Sequence, residues 1–145
     1  TLIAISETGA QYKVFAPDFK MEEAARISRG AIDDLKNLRA KDFDGLALPG
    51  GYGAALHLCT WAKEGAKCSV HPEAERVLKD FYQQEKPIAA MCIAPALVAR
   101  VLGSQGITLT IGNDKATSQE IQKTGAHHEI CAVEDFVTDR DHRLV

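Results

Sequence analysis

Cys92 is the residue of this sequence best placed for covalent chemistry. It follows the apolar run Ile88-Ala89-Ala90-Met91 and precedes a helical stripe of Ala94, Leu97, Val98, Val101 and Leu102, with Pro95 in the first turn. A thiol at such a strand-to-helix turn faces the unpaired N–H groups and the positive end of the helix dipole, which favour the thiolate. Small residues two positions to either side, Ala90 and Ala94, suit a sharp turn. The pattern is that of a nucleophile elbow with Ala in place of the usual Gly. A buried structural thiol is the competing reading, because free Cys is among the most buried residue types.

The second candidate is Pro49-Gly50-Gly51-Tyr52-Gly53, after the short apolar run Gly45-Leu46-Ala47-Leu48. Consecutive glycines let a backbone approach a ligand and turn N–H groups toward an anion or oxyanion. Such a segment is more often simply a turn, but this one ends a strand on the same sheet edge as Cys92. It is no phosphate loop, since no Gly-Lys-Ser/Thr follows, and its spacing does not fit the dinucleotide fingerprint.

A cysteine nucleophile normally needs a base. The histidines are His57, His71, His127, His128 and His142. His57, on the helix after the glycine turn, is nearest in chain terms. His127-His128 lies between a helix and a strand and is expected in an exposed loop. No triad can be assembled. Tyr52 and Trp61 are candidates for a pocket rim. Trp61 belongs to an irregular stretch, Cys59 to His71, long enough for a partial lid, although ordinary packing is the plainer reading. The spacings of Cys59, Cys68 and Cys131 match no zinc pattern, so neither metal nor cofactor is expected.

These residues need elements to position them. Tyr12 to Ala16 alternates like a strand and stops at Pro17. Met21 to Arg29 is helical, and Ile32, Leu35 and Leu38 form a second, shorter stripe. Pro72 opens a helix with Ala74, Val77, Leu78 and Phe81 at i, i+3, i+4 and i+7. Ile107 to Ile111 is a β-branched strand, Lys115 to Thr124 a weakly amphipathic helix and Glu129 to Val133 a last strand. Strands alternating with helices across short Gly and Pro turns indicate βαβ units and a mostly parallel sheet. The expected architecture is an open α/β sandwich in one domain, residues 1–145. Both ends look cut: Thr1 to Ser6 resembles the end of a helix lacking the strand before it, and Arg143-Leu144-Val145 begins something apolar.

With 46% apolar and 26% charged residues among 145, the chain has the profile of an ordinary globular protein. A net charge of −3 leaves no basic footprint for nucleic acid. The longest apolar run, Pro87 to Ala99, is too short to span a bilayer. No targeting segment is visible, and four scattered cysteines argue for reduced thiols in an intracellular compartment.

With these motifs in place the sequence resembles the ElbB family, glutamine amidotransferase-like proteins of the PfpI superfamily. The likeness rests on Leu48-Pro49-Gly50-Gly51-Tyr52-Gly53-Ala54-Ala55, on Lys86-Pro87-Ile88 leading to Cys92-Ile93-Ala94-Pro95-Ala96, and on Leu109-Thr110-Ile111-Gly112. Phe15-Ala16-Pro17-Asp18 and Ala24 to Gly30 are similar too. The resemblance implies a flavodoxin-like, class I glutamine amidotransferase-like sandwich with Cys92 as the elbow cysteine and with Gly50, Gly51 and Ile93 at the oxyanion or ligand position. It also implies homodimers, bacterial cytoplasm or eukaryotic mitochondria, links to isoprenoid biosynthesis, and weak glyoxalase-type activity on small aldehydes. Hydrolytic relatives carry His where this chain has Ile93, so glutaminase activity is not expected. Two readings follow: a cofactor-free thiol enzyme acting on a methylglyoxal-type aldehyde, its protons moved by an acid upstream of Thr1, or a non-catalytic, redox-regulatory protein. An ammonia-delivering amidotransferase subunit ranks behind both.

Overall fold

The computed structural model describes residues 2–6 and 11–145. Five strands form the main sheet: β1 (Leu2–Ser6), β2 (Gln11–Ala16), β3 (Ile32–Asp34), β4 (Gly45–Leu48) and β5 (Ile88–Ala90), in the order β3-β2-β1-β4-β5. β2 pairs parallel with β3 and β4 with β5, while β1 runs antiparallel to both neighbours. A second, parallel pair joins β6 (Thr108–Leu109) and β7 (His127–His128). The helices are α1 (Met21–Ser28), α2 (Trp61–Glu64), α3 (Pro72–Gln83), α4 (Ala94–Leu102) and α5 (Lys115–Lys123). This is an α/β fold in which the named strands pair in parallel except at β1.

Local chemistry explains the elements that position the site. β4 is buried along its whole length, so both of its faces are apolar. α3 starts with Pro72 in its first turn, and the His71 ring nitrogen accepts the Glu73 N–H at 3.3 Å. Its stripe Ala74, Val77, Leu78 and Phe81 is fully buried; each of the larger side chains contributes about 1.5–3 kcal/mol. Arg76 projects from α3 onto the carbonyl oxygens of Leu38 (3.0 Å) and Leu35 (3.2 Å). Lys86 donates to the carbonyls of Ala40 and Phe43. Arg76 and Lys86 brace the turns before β4: each cation takes one carbonyl, Leu38 or Phe43, and shares another, Leu35 or Ala40, with the turn N–H of Leu38 or Phe43. α4 is buried almost all round, as suits a helix enclosed in the core.

Leu46, Ala47 and Leu48 pair with Ile88, Ala89 and Ala90. The ladder extends by Met91 N–H to the Leu48 carbonyl at 3.0 Å. β4 and β5 therefore end level, and the turns that follow them lie side by side. The other edge of β5 is also occupied: Ile88 N–H donates to Arg143, Ala90 N–H to Val145, and Val145 N–H back to Ile88.

Several elements differ from the sequence expectation. Leu2–Ser6 is a strand, not a helix end; a short apolar run has no periodicity to separate the two, and here two neighbouring strands offer it partners. Ile32–Asp34 is strand β3, and Leu35 and Leu38 belong to a tight 3₁₀ turn started by the Asp34 carboxylate accepting the Lys36 N–H. The spacing of Leu35 and Leu38 comes from three residues per turn, while Ile32 is in the strand before them. Glu129 to Val133 is not a strand. The Thr110 hydroxyl accepts the Gly112 N–H, and Gly112, at φ +82°, turns the chain away, so the ladder closes at Glu129 N–H to the Leu109 carbonyl. The pairing falls instead on His127 and His128. Trp61 is 7% exposed and packs in the core. Its segment is no loose lid, since Cys59 pairs antiparallel with Val70 and Thr60 N–H donates to Ser69.

Candidate functional site

Cys92 has φ +60° and is exposed. A side chain in the left-handed region is uncommon outside Gly, Asn and Asp and marks a turn held by its surroundings. The restraints are visible on both sides: Met91 is tied to Leu48, Ala94 N–H donates to Met91 at 3.0 Å, and Ala96 N–H donates to Ile93 at 3.1 Å. Pro95 lies in the first turn of α4, where its missing N–H costs nothing. The strand-to-helix elbow is present, and its thiol is not buried.

Gly50 braces this elbow. At φ +83°, a Cβ added to it would overlap the Met91 carbonyl oxygen and come within 2.9 Å of Cys92 Cβ and 3.3 Å of the Ile93 nitrogen. Gly51 has φ +87° and open space where a Cβ would point. Ile93 is half-buried against the core.

Cys92 lines a cavity of about 540 Å³ whose walls are mainly apolar. Met91, Pro95, Thr110, Ile111, Cys131, Asp135 and Phe136 contribute to it. The glycine turn opens on a different cavity, of about 290 Å³, with Lys20, Glu23, Tyr52 and His57. Gly50 and Gly51 thus touch or flank the elbow without facing the cavity of the thiol. Tyr52, 72% exposed, and His57 rim the second cavity rather than that of Cys92, because the chain after Gly50 turns away from β5. Trp61 lines neither.

Sequence reasoning missed Cys131 and Asp135. Cys131 has no ligand spacing to mark it, and Asp135 sits in a charged surface stretch. The available signal for Asp135 was its place just after the expected strand Glu129 to Val133; Cys131, expected inside that strand, had none. His128, expected in a loop, is on β7, where its Nε2 accepts the Ile111 N–H at 3.1 Å and so steadies the cavity wall. Burial holds its pKa below the ordinary histidine value. Asp139 ties the chain before Leu144 to β6. Burial works to raise its pKa, but donors from Thr108 N–H (2.6 Å) and from the backbone and ring of His142 bring it below the usual carboxylate value. The remaining thiols lie in the core: burial pushes Cys59 up and Cys68 up to about 11.

An elbow cysteine at the end of a strand in an α/β sandwich defines a class of glutamine amidotransferase-like domains, and the comparisons agree. Residues 4–141 match the family model described as the DJ-1/PfpI family, and the chain belongs to that family. It is 36% identical over 173 residues to the human glutamine amidotransferase-like class 1 domain-containing protein 3, mitochondrial, covering 99% of this chain and 64% of that protein. The rat ES1 protein homolog, mitochondrial, is 34% identical with the same coverage. The chain therefore spans a little under two thirds of these relatives. Among solved structures, an isoprenoid biosynthesis protein with amidotransferase-like domain from Ehrlichia chaffeensis superposes with TM-score 0.80 at 32% identity, covering 91% of this chain and 68% of that one. Among the described residues no helix is long and apolar enough to cross a membrane.

Proposed function

We propose that this is an ElbB-type protein whose Cys92 adds to the aldehyde of small 2-oxoaldehydes such as methylglyoxal, without metal or cofactor. The observation that carries the reading is an exposed thiol held at φ +60° on an apolar cavity that also holds one carboxylate, Asp135. The thiolate attacks the aldehyde carbon, and the resulting alkoxide takes a proton to give a hemithioacetal. Asp135 removes the C1 proton, the enediol is reprotonated at C2, and the thioester so formed is hydrolysed by water. Methylglyoxal plus water gives lactic acid and the free thiol. Gly50 serves by holding the elbow in shape. The test is lactate formation from methylglyoxal by the purified chain. Cys92→Ala is expected to abolish it and Asp135→Asn to lower kcat by about 10²–10⁴. Undiminished turnover in Cys92→Ala overturns the proposal.

A second reading is favoured by the lack of histidine among the described residues lining that cavity and by Ile93 beside the cysteine. In it the protein is non-catalytic or redox-regulatory, in mitochondria if the source is eukaryotic, with a link to isoprenoid biosynthesis supported by the description of the Ehrlichia chaffeensis relative. It predicts no lactate and a Cys92 that still reacts with peroxide.

A further inference from the structure

Two of the four thiols share one cavity. Cys92 and Cys131 both line the 540 Å³ space at the end of β5, one on a rigid turn and the other on a segment with little to hold it. Residues 129–138 form neither helix nor strand. At Cys131 the backbone is attached by one long bond, its N–H to the Gly112 carbonyl at 3.4 Å, and the next tie is a local turn from Asp135 N–H to Ala132 at 3.2 Å. Ile130, Val133 and Phe136, at 81%, 97% and 75% exposure, are not packed down. The segment can be drawn across the cavity at the expense of that one bond. Cys59 and Cys68 cannot compete, because both are buried in the core.

We infer that Cys131 is the resolving thiol of Cys92, so that hydrogen peroxide converts the pair into a reversible Cys92–Cys131 disulfide. The Cys92 thiolate attacks one peroxide oxygen, the O–O bond breaks, and the departing hydroxide leaves as water once protonated, giving Cys92 sulfenic acid. The Cys131 thiolate then attacks the Cys92 sulfur. The S–O bond breaks, a second water departs and the S–S bond forms. The peroxide is reduced, and the two thiols supply its two electrons. Closing the bond needs the Cα atoms about 4.4–6.8 Å apart, and the loosely tied segment of Cys131 is the side that moves to meet the elbow. The outcome is a capped nucleophile instead of an irreversible sulfinic acid. The inference rests on the accessibility of Cys92 and the placement of Cys131, and is independent of the carbonyl chemistry proposed above.

The experiment treats the full chain with equimolar hydrogen peroxide, blocks remaining thiols with N-ethylmaleimide, and maps peptides by mass spectrometry with and without reductant. The wild type is expected to yield a Cys92–Cys131 linked peptide that dithiothreitol releases, with Cys59 and Cys68 alkylated only after unfolding. Cys131→Ser, checked for folding by circular dichroism, is expected to trap Cys92 sulfenic acid, raising its dimedone labelling about ten-fold, and then to proceed to sulfinic acid. Cys92 sulfinic acid in the wild type with Cys131 still free overturns the inference while leaving Cys92 a peroxide-reactive thiol. An unmodified Cys92 overturns both. A disulfide between Cys92 residues of two chains also overturns it.

Discussion

Replacing Gly50 by Ala tests whether the elbow depends on its glycine neighbour, and Gly51→Ala supplies a control one residue away. Both positions sit at positive φ, so each alanine incurs about 1–2 kcal/mol of left-handed strain. Each also gains about 0.4–1 kcal/mol from a stiffer unfolded chain. These contributions cancel in the comparison. The difference lies in what the new methyl meets. At Gly51 it meets nothing within 4 Å, whereas at Gly50 it overlaps the Met91 carbonyl oxygen and presses within 2.9 Å of Cys92 Cβ. Those atoms belong to the turn between β5 and α4 and cannot swing aside like the tip of a long side chain. Overpacking of this kind costs about 1–3 kcal/mol. Gly50→Ala should therefore be less stable than Gly51→Ala by about 1–3 kcal/mol, read from urea midpoints at unchanged m-value. Because the displaced atoms carry the thiol, the rate of Cys92 alkylation by iodoacetamide should change in Gly50→Ala and not in Gly51→Ala. Equal midpoints for the two variants, with identical alkylation rates, would refute the bracing role of Gly50.

Native alkylation should label Cys92 first and Cys131 more slowly, whereas Cys59 and Cys68 should react only on the unfolding timescale. Burial has raised both core thiols, Cys68 to about 11, and few thiolates form there at neutral pH; rapid labelling of Cys68 in the native chain would contradict the described core. His128 predicts a pH dependence. Its folded pKa lies below the unfolded value of about 6.5, so protonation favours the unfolded chain. The stability tied to its neutral ring is complete above that pH and is lost as pH falls through the folded pKa. Urea midpoints recorded from pH 8 to 5 should decline in the wild type more steeply than in His128→Gln, which keeps a side-chain acceptor for the Ile111 N–H without a titrating ring.

The helices and the elbow were legible because their signals are local. Pro72 with its i, i+3, i+4, i+7 stripe, and Cys92 between an apolar run and Pro95, need no distant partner to be recognised. The misread segments depend on partners that the sequence does not display. Leu2–Ser6 is a strand because β2 and β4 flank it, and the ladder of β7 stops at His128 because the Thr110–Gly112 turn removes its partner. The site was half legible for the same reason. The thiol announced itself by position, but which cavity each neighbour lines is a tertiary outcome. The glycine turn and Cys92, adjacent through Gly50, still open on different cavities, and Asp135 and Cys131 reach the thiol's cavity from a segment without a pattern.

The strand that delivers Cys92 is walled in along its backbone. β4 takes one edge of β5 and residues 143–145 take the other, so no N–H and C=O row is left there for an incoming extended peptide. Recognition by strand addition is closed at the site. Along the sheet, the outer edge of β3 is three residues long and carries Asp33 and Asp34. A short, acidic edge of that kind discourages pairing between copies of the sheet.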